Sequence, residues 1–276
     1  LKNLKMIDIV IPTLNRLDKQ ITLSNIPDTY RMSTTLVVQP HEAEETKKVH
    51  EKVWVLSGDN IGMSNTIKEI TYEWSINRGS KFWIMDDDLT FMYNDLENEK
   101  WKKHKLESKE FSLMIGETEE WIADGILHGG IGTTWEPPSP AKYPYNTNCR
   151  IMTNKFYNGL VLAEHWNDID WTGCCGAEDF YVNLQLLTKG FENRVWFKYV
   201  VSPADTNAPG GCSTYRDIEY HNTAMKNLKN KYNDYVLLRE KVQQTGPWKG
   251  QVKLAATISW KRAYESSKLS TLSDFI

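Results

Sequence analysis

Between residues 7 and 88 the chain repeats one pattern: a short β-branched apolar run, a residue that stops it, then a polar stretch long enough for a helix. Ile7-Asp8-Ile9-Val10-Ile11 stops at Pro12, and Thr34-Thr35-Leu36-Val37-Val38 stops before Pro40. Val53-Trp54-Val55-Leu56 runs into Ser57-Gly58-Asp59-Asn60, and Phe82-Trp83-Ile84-Met85 into Asp86-Asp87-Asp88. The spacers 14–25, 41–50 and 63–78 read as helices, the last with Ile67, Ile70, Trp74 and Ile76 toward the core. Strands alternating with helices require crossover connections, which build a parallel sheet covered on both faces. The expected fold class is therefore α/β, a Rossmann-like mixed, mostly parallel sheet with helices on both faces. Such sheets bind ligands at the carboxyl ends of their strands. Functional residues are expected just after the first, third and fourth strands.

The second half is less regular. Residues 110–124 and 178–189 read as helices, 128–132 as a strand or turn, and 195–201 as a strand. The Pro- and Asn-rich segment 135–148 and the Gly-Gly segment 207–213 read as loops. Residues 217–243 read as one long helix.

Composition narrows the function. Aromatic residues make up 12% of the 276 residues, enough to fill a core, so whole-chain disorder is excluded. No apolar run approaches the ~18–20 residues of a membrane span, and LKNLKMIDIV lacks an apolar leader core, so a cytoplasmic protein without membrane contact is expected. Cys149, Cys174, Cys175 and Cys212 form no CxxC pair, which argues against a zinc ribbon and for reduced thiols. A net charge of −3 excludes a uniformly basic nucleic-acid binder but leaves room for a local basic groove. Eleven Trp and thirteen Tyr serve mainly as core, with some available as stacking platforms for sugars or bases.

The sharpest chemical feature is Asp86-Asp87-Asp88. Three adjacent carboxylates repel one another, and a divalent cation relieves that repulsion. Mg²⁺ or Mn²⁺ typically takes one or two protein carboxylates together with substrate phosphates. Asp86 and Asp88 are the expected ligands, one direct and the other through water or a donor hydroxyl, with Asp87 also facing the bound group. The alternative is a solvated acidic turn. After strand one, Pro12 leaves backbone N–H groups for a ligand, and Thr13, Asn15 and Arg16 can meet a nucleotide. After strand three, Gly62 allows close approach and Asn65 opens a helix whose N-terminus favours anions. Glu178 and Asp179 begin a helix, where they act either as dipole-stabilised caps or as a general base. Gly210, Gly211 and Arg216 form a candidate loop over phosphate, and His221 is a candidate third metal ligand.

In their order, IPTLNR, the Gly/Asn-rich turn, IMDDD and the later Glu-Asp before a helix resemble GT-A fold glycosyltransferases over residues 6–240. GAEDFYVNLQLLTKGFENRVW and APGGCSTYRDIEYHNTAMKNLKNKYNDYV resemble, more closely, the phage glycosyltransferases associated with TET-type dioxygenases. The resemblance implies a nucleotide-sugar donor (a UDP-sugar), Mn²⁺ or Mg²⁺ on the DxD acids, and transfer to 5-hydroxymethylpyrimidine in phage DNA within the infected host's cytoplasm. It implies an acid of the Glu-Asp pair as base in inverting members; Asp179 is preferred to Glu178 for its shorter, more rigid side chain. It also implies a single domain over 1–276, with a donor half (6–95), an acceptor half (96–245) and a C-terminal extension (246–276). The helix after Gly62 lacks the Ala-Arg-Asn run usual in GT-A patterns.

Lysines cluster at 100–109 and 226–231, with more cations at 261–268, each a candidate contact to DNA phosphates. Trp135, Tyr143 and Tyr145 make the 135–148 loop a candidate acceptor lid. Alternative readings are a GT-A transferase for a polysaccharide, lipid or protein, and a non-enzymatic sugar- or DNA-binding module.

Overall fold

The computed structural model describes residues 6–97, 100–134, 144–204 and 211–273. Its first half follows the strand–helix alternation. The strands β1 (Asp8–Pro12), β2 (Thr35–Val38), β3 (Val53–Val55) and β4 (Lys81–Met85) pair in parallel in the order β3-β2-β1-β4. Between them lie helices α1 (Ile21–Asn25), α2 (Asp28–Arg31), α3 (Ala43–Val49) and α4 (Gly62–Tyr72).

The sheet then continues past β4 with strands made much later. β5 (Leu89–Glu97) and β6 (Lys100–Lys105) form a hairpin, followed by helix α5 (Ser108–Ala123), β7 (His128–Thr133), β8 (Tyr145–Thr147) and β9 (Asn154–Asn158). Helices α6 (Gly159–His165) and α7 (Glu178–Thr188) precede the long β10 (Asn193–Pro203). Among the described residues the full order is β3-β2-β1-β4-β9-β7-β10-β5-β6, with β8 on β10. β9 runs antiparallel to β4 and β7, and β10 runs parallel to β7 but antiparallel to β5 and β8. The sheet is mixed: β1 to β4 are parallel, and so are β7 and β10.

Both faces of the sheet are covered, as the continuous apolar runs require. Ile9, Ile11, Trp83 and Met85 enter one core with Phe111 and Trp121 of α5. The intervening Val10, Phe82 and Ile84 enter the other with Ile67 and Ile70 of α4. Each such side chain, fully buried, is worth roughly 1.5–3 kcal/mol. In the first core Trp121 stacks on Trp196 with ring centroids 3.7 Å apart.

Beyond the sheet lie α8 (Ile218–Lys231), the hairpin strands β11 (Val236–Val242) and β12 (Val252–Ile258), and α9 (Trp260–Ser273). They pack on α7 through Leu184, Leu187, Ala224, Leu228, Val236 and Ala263. Position 246 falls in the loop of this hairpin.

Three expectations are corrected, and one unexpected strand is added. The segment 14–25 is no single helix: Asn15 takes φ +54°, a short 3-10 turn follows at Leu17–Lys19, and only Ile21–Asn25 is α-helical. The helix expected over 217–243 ends at Lys231, where the chain turns into β11. Lys100–Lys105 is an edge strand. Ile76 is 41% exposed, because the end of its helix widens into a π turn at Glu73–Asn77 and rotates it outward.

Candidate active site

The turn after β4 is held by the segment after β1. Thr13 Oγ1 donates to Asp87 Oδ2 at 2.7 Å, and Arg16 Nη1 donates to Asp87 Oδ1 at 2.8 Å and to Asp88 Oδ2 at 3.1 Å. Gln20 Nε2 donates to Thr13 Oγ1 and to the Arg16 carbonyl. Thr22 ties down the backbone of the same turn, its hydroxyl donating to the Asp86 carbonyl and its N–H to the Asp87 carbonyl. Asp87 is buried and serves as the clamp between the two segments.

Two expectations for this segment change. The N–H groups after Pro12 are not left for a ligand: Thr13 donates to the Val37 carbonyl and Asn15 to Glu42 Oε1. Parallel pairing runs past Pro12 and consumes the first of them. The Arg16 guanidinium, expected against a nucleotide, is turned onto the acids.

Asp86 and Asp179 lie close enough for the charge of one to act on the other. Lys155 of β9 extends its ammonium onto the Asp179 carboxylate. Burial works against the lysine's charge, but Asp179 and Asp86 outweigh it and hold Lys155 above the ordinary lysine range. Asp86 is pushed well above the usual carboxylate range, by burial first and then by the negative charge of Asp179, with Asp88 and Asp87 adding to it. Glu178 is raised by burial and by Asp179; it accepts from the Gly176 N–H at 2.8 Å and from Ser64 Oγ at 3.4 Å. Asp88 is raised by burial and by Asp87, against the pull of Arg16. The start of α7 thus meets the end of β4 across β9, and one buried cation serves several acids.

Lys155 escaped the reading of the sequence. Its signal was a lone lysine beside Phe156-Tyr157 in a strand that is buried throughout. A lysine in such a strand must be paired, because an unpaired buried charge is too costly.

The remaining candidates are spread around this centre. Gly62, with φ +78°, opens α4, but Asn65 Nδ2 is spent on the Ile61 carbonyl at 2.7 Å. The Gly211 N–H donates to the Leu14 carbonyl, and a Cβ added at Gly211 would lie 3.3 Å from Arg16 Cζ. Gly210, Trp135 and Tyr143 lie outside the described residues. Cys212, its thiol pushed up to about 11 by burial, accepts from the Tyr215 hydroxyl at 3.2 Å. His221 does not join the acids: its Nε2 meets the Leu254 carbonyl at 2.9 Å. A carbonyl only accepts, so that nitrogen carries the proton and is no metal ligand. Arg216 lies close enough to His221 and Lys253 to disfavour the charged form of each. All four cysteines are free thiols.

The acids suit a hard divalent cation. Among the described residues nothing donates a hydrogen bond to the Asp86 carboxylate, and its neighbours Asp88 and Asp179 raise its proton affinity. An oxygen-only set of this kind matches Mg²⁺ or Mn²⁺. Among the described residues no three His, Cys, Asp or Glu side chains form a ready cage. Phosphate and water would have to complete the coordination, as is usual for Mg²⁺. No helix among the described residues is long and apolar enough to cross a membrane.

Comparison with known proteins identifies the family. The model of the TET-associated glycosyltransferase family matches residues 7–211. The beta-glucosyl-HMC-alpha-glucosyl-transferases of Enterobacteria phages T2 and T6 are each 26% identical over 238 residues, spanning 82% of this chain and 81% of theirs. Among solved structures, S. aureus TarS overlaps with TM-score 0.41 at 13% identity, over 83% of this chain and 44% of its own. The inositol-1-phosphate CTP transferase of T. maritima also reaches 0.41, at 12% identity, over 81% of this chain and 96% of its own.

Proposed function

The chain belongs to the TET-associated glycosyltransferase family, and from that premise we propose that it moves a sugar from a UDP-sugar to a hydroxyl on a 5-hydroxymethylpyrimidine of phage DNA, in the cytoplasm of the infected bacterium. The observation that carries this reading is the acid centre, where Asp86 and Asp88 follow β4 beside the Glu178–Asp179 start of α7. The phage relatives, named as alpha-glucosyl-transferases of beta-glucosyl-HMC, support the DNA acceptor.

Asp86 and Asp88 would hold Mn²⁺ or Mg²⁺. The bound cation would neutralise the diphosphate leaving group. Arg16 holds Asp87 and Asp88 in place. Asp179 takes the proton from the acceptor hydroxyl as the sugar bond forms, and Lys155 orients its carboxylate. Ser64 and the Gly176 N–H fix Glu178 next to it.

The relatives' names favour a second acceptor within this reading, the hydroxyl of a sugar already attached to the base. The experiment is a transfer assay with duplexes carrying hydroxymethylcytosine, with and without a β-glucosyl group, using UDP-glucose and Mn²⁺. Label incorporation into either duplex is expected, lost on chelation. Activity only on polysaccharide, lipid or protein would replace the DNA acceptor. NMR of the product anomer tests the base: a product keeping the donor's anomeric configuration removes direct displacement, and with it the role of Asp179.

A further inference from the structure

The residues after 211 lie beyond the family match, and they carry a concentration of positive charge with no carboxylate set against it. Lys241 of β11 stands directly opposite Lys253 of β12 in the antiparallel ladder. Like charges in that position destabilise a hairpin. Elsewhere this chain pairs its cations: Lys47, Lys48, Lys155, Lys198 and Lys231 each reach a carboxylate. Among the described residues neither Lys241, Lys253 nor Arg216 makes an ion pair, and the Arg216 Nε is buried without a hydrogen-bond partner.

The acids near them are committed or turned away. Asp217 accepts from the Tyr220 N–H at the start of α8. Glu240, next to Lys241 on β11, alternates to the other face of the hairpin. The half-buried Lys253 ammonium is driven below the ordinary lysine range by burial and by Arg216, Lys241 and Arg150, so cations from separate segments converge on it. Its Nζ lies 5.5 Å from the ring centre of Trp248 in the hairpin loop, and that ring lies 5.8 Å from His221. At its inner end the cluster approaches the acid centre, because Arg216 and Glu178 both act on Cys212.

We infer that Arg216, before α8, and Lys241 and Lys253 of the β11–β12 hairpin form a seat for the phosphodiester backbone of the acceptor DNA. This rests on the DNA acceptor proposed above. A row of phosphates supplies the counter-charge that the fold withholds. Trp248 adds a ring face beside the cations, on which a base or sugar can stack. The hairpin then holds the duplex while the reacting hydroxyl meets Asp179.

The test is binding of the full chain to a fluorescent 20-base-pair duplex by anisotropy between about 50 and 200 mM salt, where neutralised phosphates dominate the salt response. Lys241→Gln/Lys253→Gln should weaken binding and lower the log–log salt slope by about 1.8, at roughly 0.9 for each phosphate left without its lysine. Lys241→Glu places an acid opposite Lys253, so it should keep or raise Tm while binding DNA more weakly, which separates the seat from misfolding. Affinity for UDP with Mn²⁺, by calorimetry, should stay within about twofold. An unchanged salt slope in a wild-type-like DNA binder would overturn the seat alone. Parallel loss of UDP affinity would assign the cations to the donor diphosphate. Absence of both DNA binding and DNA glycosylation in the wild type would overturn the acceptor reading and the seat together.

Discussion

Arg16 Nη1 lies 3.1 Å from Asp88 Oδ2 and bridges it to Asp87, so a carboxylate expected to hold metal already has a protein cation on one oxygen. Both side chains of the Arg16–Asp87 pair are nearly buried, and removing one partner of such a pair costs about 3–5 kcal/mol. Arg16→Ala should therefore lower Tm. If Asp86 and Asp88 take Mn²⁺, the ion should restore more of that loss than it adds to the wild type. Equal Mn²⁺ shifts in the two proteins, read by differential scanning fluorimetry, would exclude these acids as the metal site.

Asp179 should matter for transfer and little for donor binding. Asp179→Asn keeps the shape and removes the proton acceptor, so single-turnover transfer should fall by roughly 10²–10⁴-fold. UDP affinity with Mn²⁺ should change little. Near-normal transfer by the variant would reduce Asp179 to a helix cap.

Lys155 acts through Asp179, and its replacements should grade accordingly. Lys155→Met leaves Asp86 and Asp179 without their buried cation, which costs about 3–5 kcal/mol. It should also raise the proton affinity of Asp86 and Glu178, both held down by the lysine's charge, moving the acid limb of the transfer rate to higher pH. Lys155→Arg should restore most of that limb. A pH profile identical in wild type and Lys155→Met would show that the lysine only fills space.

His128 should set part of the acid lability. It is buried, meets Asn183 Oδ1 at 3.1 Å, and is pushed down by burial from 6.5 to about 4. The folded chain holds it neutral, while the unfolded chain protonates it below pH 6.5. Its contribution is thus fully present above pH 6.5 and is lost as pH falls toward 4, by about 3 kcal/mol at 1.36 kcal/mol per unit. His128→Gln should flatten urea-unfolding stability across that window relative to wild type. Parallel curves would remove His128 from the account.

Gly176 is fixed by both geometry and space. Its φ is +85°, and a Cβ there would lie 2.5 Å from Tyr220 Cε1. The backbone strain alone costs of order 1–3 kcal/mol. Gly176→Ala should lower Tm and, by shifting the N–H that holds Glu178, reduce transfer as well. A variant with wild-type Tm would mean that α8 yields freely.

The parts that were legible in the sequence are those set by local signals. An apolar β-branched run with a stop after it marks a strand wherever it lands, which is why β1 to β4 and the acids after β4 could be placed. β6 was hidden because Lys100–Lys105 has the composition of a solvated helix face; only its pairing with β5 makes it a strand, and lysines protect such an edge from further pairing. β11 was hidden because the charged pattern of α8 runs on past Lys231, while the turn through Tyr232-Asn233-Asp234 is short. In the site, Asp86, Asp88 and Asp179 were visible as acids at element ends. The tie from Arg16 to Asp87 and Asp88 and that from Lys155 to Asp179 span long separations, and no periodicity reports them.

The sheet order sets a constraint on how this protein is made. β4 has β1 on one side, but its other side waits for β9, and β7 and β5 meet only through β10. A nascent chain that has left the ribosome as far as β4 therefore carries an open strand edge rich in Phe, Trp, Ile and Met until Asn154–Asn158 emerges. Unpaired apolar edges of this kind recruit other chains. Pauses in translation between β4 and β9 would lengthen that exposure, and a fragment ending before β9 should go to inclusion bodies or to chaperones.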